Sequence, residues 1–394
     1  GGGRVGRGVL PVRDSACPTV QQLQRMDHPS GGAVREPLLA ARPRRPDSVF
    51  APVVSETIQV AGRKIEVWND ECFKQLRQSH GIPDSFLNMH KEQSVDLKHA
   101  RAESKLGKGG EQQYISRDAK FIIKSVSGAD HKSLLLRAKA YVARLLTGNS
   151  LLVPIYLHFR DPSTNKVYIA MRNLTPEQVP WDEKYDLKGC ADDKTLMRQG
   201  KVIEPVRRRF YRIDMWCRCA WTPERWTYYD GKVHARALRL EFPPQQRDEI
   251  LRLVQQDADW LIAQGLMDYS LFVAIRRVDR NGGCTAAATP QVVRQFAMLD
   301  GEDVVFVTLG IIDFLQPWTA AKKVAKCIKS LEFNKATIPP PAYGARFKQH
   351  FAELLKVDER LRPLSLVTSG PEEGATMQRT SARASRVASQ GVCC

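Results

Sequence analysis

An acid between two apolar side chains at the start of a strand-like run is the feature that most restricts this chain. The run is Leu266-Met267-Asp268-Tyr269-Ser270-Leu271-Phe272-Val273-Ala274-Ile275, and it begins where a long helical pattern stops at Gly265. A carboxylate buried without a partner is costly, so Asp268 implies a specific task or a buried donor. A second acid, Asp313, ends another apolar run, Leu309-Gly310-Ile311-Ile312, and a lysine, Lys124, closes Phe121-Ile122-Ile123. Metal-assisted phosphoryl transfer needs such a set: a lysine for nucleotide phosphates, an acid for Mg²⁺, and an acid to orient or deprotonate the attacking hydroxyl. Spacing alone does not establish that chemistry.

The runs around these residues predict mixed structure. Ile250, Leu251, Leu253, Val254, Ala258, Leu261 and Ile262 recur at helical spacing over Pro244 to Ala263, which predicts a core helix delivering the chain to Asp268. A second amphipathic pattern covers Leu134 to Leu146, and a shorter one Asn69 to Gln78, with Trp68, Cys72, Phe73 and Leu76 on its apolar face. Phe121–Val126, Leu151–Phe159, Lys166–Met171 and Val304–Ile312 read as strands, the middle two joined by a turn at Asp161-Pro162-Ser163-Thr164-Asn165. Residues 279 to 290 read as a surface loop. Residues 191 to about 235 read as an insertion-bearing hairpin region carrying Arg207-Arg208-Arg209, Trp216, Trp221 and Trp226. Its Cys217 and Cys219 lack the second His/Cys pair that a zinc site needs.

Residues 1 to 55, rich in Gly, Pro and Arg, are expected to form a disordered basic arm, and residues 357–394 a disordered polar tail. The arm is either a solvated tail or a membrane attractor, at about 1 kcal/mol per basic residue near an anionic surface. The formal net charge of +17 calls for an anionic partner. Nucleic acid is the less favoured one, because zinc-finger spacing, aromatic RNA-reading motifs and basic-region heptads are all missing. Nine scattered cysteines fit a reducing, cytosolic setting. With no apolar run of membrane-spanning length and no signal core at the first residues, the chain is expected to be soluble or peripheral.

The segments FIIKSVS, KYDLKGC, MDYSLFVAI and GIIDFLQ, in that order along the chain, resemble the signature segments of the phosphatidylinositol phosphate kinase family, over roughly Ile65 to Leu355. The resemblance implies a two-lobed α+β kinase-like fold of antiparallel sheets with packed helices. Its catalytic domain would cover residues 56–356, with an N-lobe of about 56–172 and a C-lobe of about 173–356. It also implies roles. Lys124 would hold the ATP phosphates, Asp313 would coordinate Mg²⁺ and Asp268 would act on the inositol hydroxyl. Asp186 and Lys188 of KYDLKGC would support the nucleotide site. The glycine-rich Gly107-Lys108-Gly109-Gly110 would approach phosphates through its backbone, and Asn173 would lie in the hinge beside the nucleotide.

The same family places Lys322 and Lys323 in a specificity loop that meets phosphoinositide and membrane. Members acting on the 4-phosphate lipid resemble one another in having Glu at position 325, those acting on the 5-phosphate lipid in having Ala, and this chain has Ala325. Gly110, Gln112, Gln113, Cys190 and Lys326 depart from the family pattern. The expected activity is ATP- and Mg²⁺-dependent conversion of phosphatidylinositol 4-phosphate to the 4,5-bisphosphate, chosen on family prevalence. The reverse regiochemistry and a weakly active phosphoinositide-binding scaffold are the alternatives, with a basic nucleic-acid binder behind them. Expected partners are an anionic membrane surface, at the cytosolic face and foremost the plasma membrane, and a phosphoinositide lipid, with no nucleic acid. The resemblance also allows a homodimer.

Overall fold

The computed structural model describes residues 55–60, 63–87, 113–116, 118–176, 178–206, 221–279, 293–319 and 337–364, all within the unit Phe50–Cys394. The first sheet takes strands β1 (Ser55–Val60), β2 (Arg63–Trp68), β3 (Gln113–Ile115), β4 (Phe121–Ser125), β5 (Ile155–Asp161) and β6 (Lys166–Arg172). They run antiparallel in the order β1-β2-β5-β6-β4-β3. Asp161 shapes the β5–β6 turn: its Oδ1 accepts from the Ser163 amide and hydroxyl, and Asn165 takes the left-handed conformation, φ +53°.

Helices α1 (Asp70–Ser79) and α2 (Gly128–Leu146) belong to this half. Trp68 is the last residue of β2 rather than part of the α1 face, which is carried by Phe73, Leu76 and Arg77. Buried Arg77 is held by Asp70 at 2.8 Å, by Asp84 and by the Tyr156 carbonyl. Helix α2 starts six residues before its apolar pattern does. Ser127 caps it by accepting from the Asp130 amide, and Asp130 places an acid in the first turn.

The second sheet has seven strands. In chain order they are β7 (Glu183–Leu187), β8 (Lys194–Arg198), β9 (Lys201–Val202), β11 (Ser270–Asp279), β12 (Arg294–Asp300), β13 (Asp303–Ile312) and β15 (Arg362–Leu364), with β10 (Leu240–Phe242) and β14 (Leu355–Val357) forming a separate parallel pair. Their order in the sheet is β15-β12-β13-β11-β7-β8-β9, antiparallel throughout. Helices α4 (Pro244–Ala263) and α5 (Pro340–Leu354) bury Leu253, Val254, Ala258 and Leu261 on one and Tyr343, Phe347 and Phe351 on the other into the main core. They meet closely where Gly344 faces Ile262: a Cβ there would stand 2.4 Å from Ile262 Cδ1.

Main-chain bonds join the two sheets. The Val153 amide donates to the Ile311 carbonyl (3.0 Å) and the Ile311 amide to the Leu151 carbonyl (2.6 Å). Asp257, fully buried on α4, accepts from the Leu151 amide, the Ser150 hydroxyl and Arg144. Tyr141 donates to the Val153 carbonyl and accepts from the Ile155 amide. The expected strand from Leu151 therefore begins at Ile155, because residues 151–153 serve β13 instead.

Two expectations are corrected here. Residues 191 to 235 hold the β8–β9 hairpin but also a 15-residue helix, α3 (Pro223–Ala237). Its aromatic and β-branched composition and its mid-helix glycine concealed it. Tertiary contact decides: Gly231 seats against Ile203 and Thr195, and the Thr195 hydroxyl donates to the Gly231 carbonyl at 2.7 Å. The polar tail expected from 357 begins no earlier than 365, because β14 and β15 hold the chain to the fold through Leu364. Among the described residues no helix is long and apolar enough to cross a membrane.

Candidate active site

Alternation along β4 buries Phe121 and Ile123 and turns Lys124 the other way. Its Nζ lies 2.8 Å from Oδ1 of Asp313, 189 residues further on and the first residue after β13. On the second sheet, Lys188 follows β7, and its Nζ lies 2.7 Å from Oδ1 of Asp268 and donates also to the Asp268 carbonyl. Burial alone would lower the Lys188 pKa, but Asp268 and Asp186 outweigh it and hold the ammonium above its ordinary value. Asp313 counts among the charges acting on Lys188 as well, so the four groups form one electrostatic cluster.

Both acids sit in the left-handed region, Asp268 at φ +65° and Asp313 at φ +57°. That conformation costs an L-residue roughly 1–2 kcal/mol, and Asp is among the few residue types that visit it. The two acid-bearing turns are tied to each other. The Met267 amide donates to the Gln316 carbonyl, the Trp318 amide to the Gly265 carbonyl, and Leu266 bridges Pro317. From below, the Tyr343 hydroxyl of α5 donates to the Tyr269 carbonyl. The apolar neighbours that make Asp268 conspicuous in the sequence, Met267 and Tyr269, are fully buried and anchor its turn, while the carboxylate itself is about a third exposed.

Asp186 and Lys188, both expected to support the nucleotide site, take different ion-pair partners, and that of Asp186 lies across the sheet. Asp186 lies opposite Lys194 in the β7–β8 ladder, and Lys194 Nζ is 2.7 Å from its Oδ2. Burial pushes the Asp186 carboxyl up, yet Lys194 first and Lys188 second hold it down at about 2. Beyond Lys188 the chain bends at left-handed Gly189 (φ +69°), and the Lys188 amide donates to Asp193 at 2.6 Å. Any Cβ at Gly189 would stand 2.9 Å from His350 Cβ. Cys190 is buried, and burial pushes its thiol up to about 11, so it remains protonated at neutral pH.

Asn173 is buried, its side chain donating to the Ala119 carbonyl at 2.7 Å and accepting from the Thr175 amide. Its amide donates to the Lys120 carbonyl. It fastens the linker to the first sheet. Beside it, Val153, Leu174 and Val293, with Met171, Phe272 and Ile312, form an apolar wall. Gly310 keeps that wall closed, since a Cβ there would stand 2.5 Å from Leu174 and 2.7 Å from Val153.

Among the described residues no three His, Cys, Asp or Glu side chains cluster as a protein-only metal cage. Mg²⁺ does not require one: it takes one or two carboxylates and completes its shell with phosphate oxygens and water. Asp313, with a side chain 47% exposed at the mouth of the site, suits that use. Sequence reasoning passed over Lys194, Asp193 and the supporting role of Tyr343. Only the strand register could have exposed the first, and the others act across turns and helices. Gly107, Gly109, Gly110, Lys322, Lys323 and Ala325 lie outside the described residues.

Comparison with known proteins gives the same direction. The family model described as Phosphatidylinositol-4-phosphate 5-Kinase matches residues 95–297 and 288–354. Phosphatidylinositol 4-phosphate 5-kinase its3 of Schizosaccharomyces pombe is 31% identical over 178 residues, 44% of this chain and 21% of that protein. The phosphatidylinositol 4-phosphate 5-kinase of Plasmodium falciparum is 24% identical over 281 residues, 61% of this chain and 15% of that protein. Phosphatidylinositol 5-phosphate 4-kinase type-2 beta of Rattus norvegicus is 24% identical over 340 residues, 72% of this chain and 75% of that protein. The chain thus spans about a fifth or less of the first two relatives and three quarters of the third. With the family match extending over more than half of its residues, the chain belongs to the phosphatidylinositol phosphate kinase family.

Proposed function

We propose that this protein transfers the γ-phosphoryl group of ATP to a phosphatidylinositol monophosphate, with the 5-hydroxyl of phosphatidylinositol 4-phosphate as acceptor. One observation carries the reading: two lysine–carboxylate pairs, Lys124–Asp313 and Lys188–Asp268, converge from the two sheets. Phosphoryl transfer is catalysed by positioning and charge neutralisation, and two lysine cations held beside two acids supply both. Lys124 would exchange Asp313 for the nucleotide phosphates. Asp313 would then hold Mg²⁺, whose contribution is to neutralise charge on the phosphate oxygens. Asp268 would orient the inositol hydroxyl and take its proton as the oxygen bonds to phosphorus and the bond to ADP breaks. Lys188, kept charged by Asp186 and Asp268, would face the transferring group. The apolar wall around Leu174, Phe272 and Ile312 offers a dry surface for the nucleobase.

The basic chain would work at the cytosolic face of an anionic membrane, with Lys322 and Lys323 meeting the lipid headgroups. A second regiochemistry has an observation of its own. Ala325 favours the 5-phosphate lipid with transfer to the 4-hydroxyl, and either reaction yields the 4,5-bisphosphate. The test is transfer of label from radiolabelled ATP to vesicles carrying one or the other monophosphate, with Asp313→Asn as control. Label in one lipid, lost in the variant, supports the reading and fixes the regiochemistry. Absence of label in both, with vesicle binding intact, would remove the catalytic reading and leave a lipid-binding scaffold.

A further inference from the structure

Six large hydrophobic side chains among the described residues are strongly exposed, and two of them share one helix: Trp226 (45%) and Val233 (63%) on α3. Helical spacing puts Trp226, Val233 and Ala237 on one stripe, with Tyr229 beside it. The opposite face of α3, through Gly231 and Ala235, is buried against the β8–β9 hairpin. Trp226 is not a lone protrusion. Trp221 lies against it (centroids 4.7 Å) and stacks on Tyr229 (4.5 Å, 21°), so the corner presents a rigid aromatic platform.

Charge around the platform is arranged asymmetrically. Arg225 and Arg236 flank the stripe and Lys201 stands exposed on β9, while the acid within the stripe, Asp230, is paired with Arg198 at 3.3 Å. Glu224 falls on the opposite side of the helix by the same spacing. Indole and phenol rings bordered by basic residues are the chemistry of a membrane interface: rings settle at headgroup depth and the cations meet anionic phosphates. The helix is also attached to the site, since Arg236 donates to the Ala191 carbonyl, three residues beyond Lys188.

We propose that the Trp226–Tyr229–Val233 face of α3 docks on an anionic lipid bilayer as a contact separate from the Lys322–Lys323 segment. The choice of a bilayer over another occupant rests on the lipid-kinase reading. The test uses the full chain and its Trp226→Ser, Val233→Ser double variant, with Leu136→Ser, an exposed apolar residue on α2, as control. Partition onto phosphatidylcholine–phosphatidylserine vesicles should weaken at least about tenfold in the double variant and stay unchanged in the control. Phosphorylation of a water-soluble short-chain phosphatidylinositol monophosphate should be equal in all three.

Four results would overturn the proposal. They are a parent chain that does not bind the vesicles, a double variant that binds like the parent, an equal loss in the control, or a change in sedimentation mass with vesicle binding intact. The last would make the face an interface between copies. A chain that docks in this way yet labels no soluble lipid keeps the docking face and removes the kinase reading.

Discussion

Replacing Lys194 by Met should cost stability in a pH-dependent way. The methionine keeps the volume of the stem and removes only the cation 2.7 Å from the buried Asp186 carboxylate. In the parent, Lys194 and Lys188 overcome burial and depress the Asp186 carboxyl from 3.8 to about 2. A depressed carboxylate stabilises the fold above its unfolded pKa, and that contribution disappears as pH falls through the folded one. A shift of this size is worth about 2–3 kcal/mol at neutral pH. Losing Lys194 lets burial raise the carboxyl again, with Lys188 the remaining nearby cation, so the variant should be weaker by roughly 2–4 kcal/mol at pH 7. The gap should narrow below about pH 4 and close near pH 2. Urea unfolding of both proteins at a series of pH values measures it. Adding Asp186→Asn to the variant should recover part of the loss, because the uncompensated charge is gone. A gap that is absent at pH 7, or constant from pH 7 to pH 3, would show that Asp186 does not depend on Lys194.

Other consequences are as direct. Gly189→Ala forces a Cβ to 2.9 Å from His350 at a left-handed φ, and should destabilise by about 2–4 kcal/mol and disturb Lys188; thermal unfolding with a turnover assay reads both. Asp257→Ala strips the receptors of the Leu151 amide, the Ser150 hydroxyl and Arg144 from a fully buried position, for a loss of about 3–5 kcal/mol in urea unfolding. His158, fully buried with His131 at 2.9 Å, is held neutral, its pKa pushed down to about 3 by burial first and His131 second. Its unfolded form gains a proton below about 6.5, so stability should fall by up to about 1.4 kcal/mol per pH unit from there towards 3. His158→Gln should flatten that slope by one proton. Gly344→Ala should destabilise by about 1–3 kcal/mol through collision with Ile262, and Ile262→Ala in the same chain should relieve part of it.

What could be read from residues alone follows the range of the forces involved. Helix α4 has the predicted ends because its apolar stripe and flanking prolines are local signals. The strand bearing Lys124 and the one ending just before Asp313 were legible for the same reason. Helix α3 was not, because its stability comes from a glycine seated on another strand. Nor was the partner of Asp186, which a strand register places eight residues away and which no periodicity distinguishes from Lys188. Residues 357–364 look polar and tail-like in isolation. They become strands only because β10 and β12 present open edges to them.

The backbone handedness shared by Asp268 and Asp313 bears on how such a site would decay. Few residue types occupy that region without strain: glycine freely, asparagine and aspartate at small cost. A lineage released from selection on chemistry, but still selected to fold, should drift at these two positions towards Asn or Gly before Ala, Val or Leu. Asn or Gly at 268 or 313 in an otherwise intact sequence would therefore mark a relative that has given up catalysis and kept its architecture. A β-branched residue there would mark one losing both.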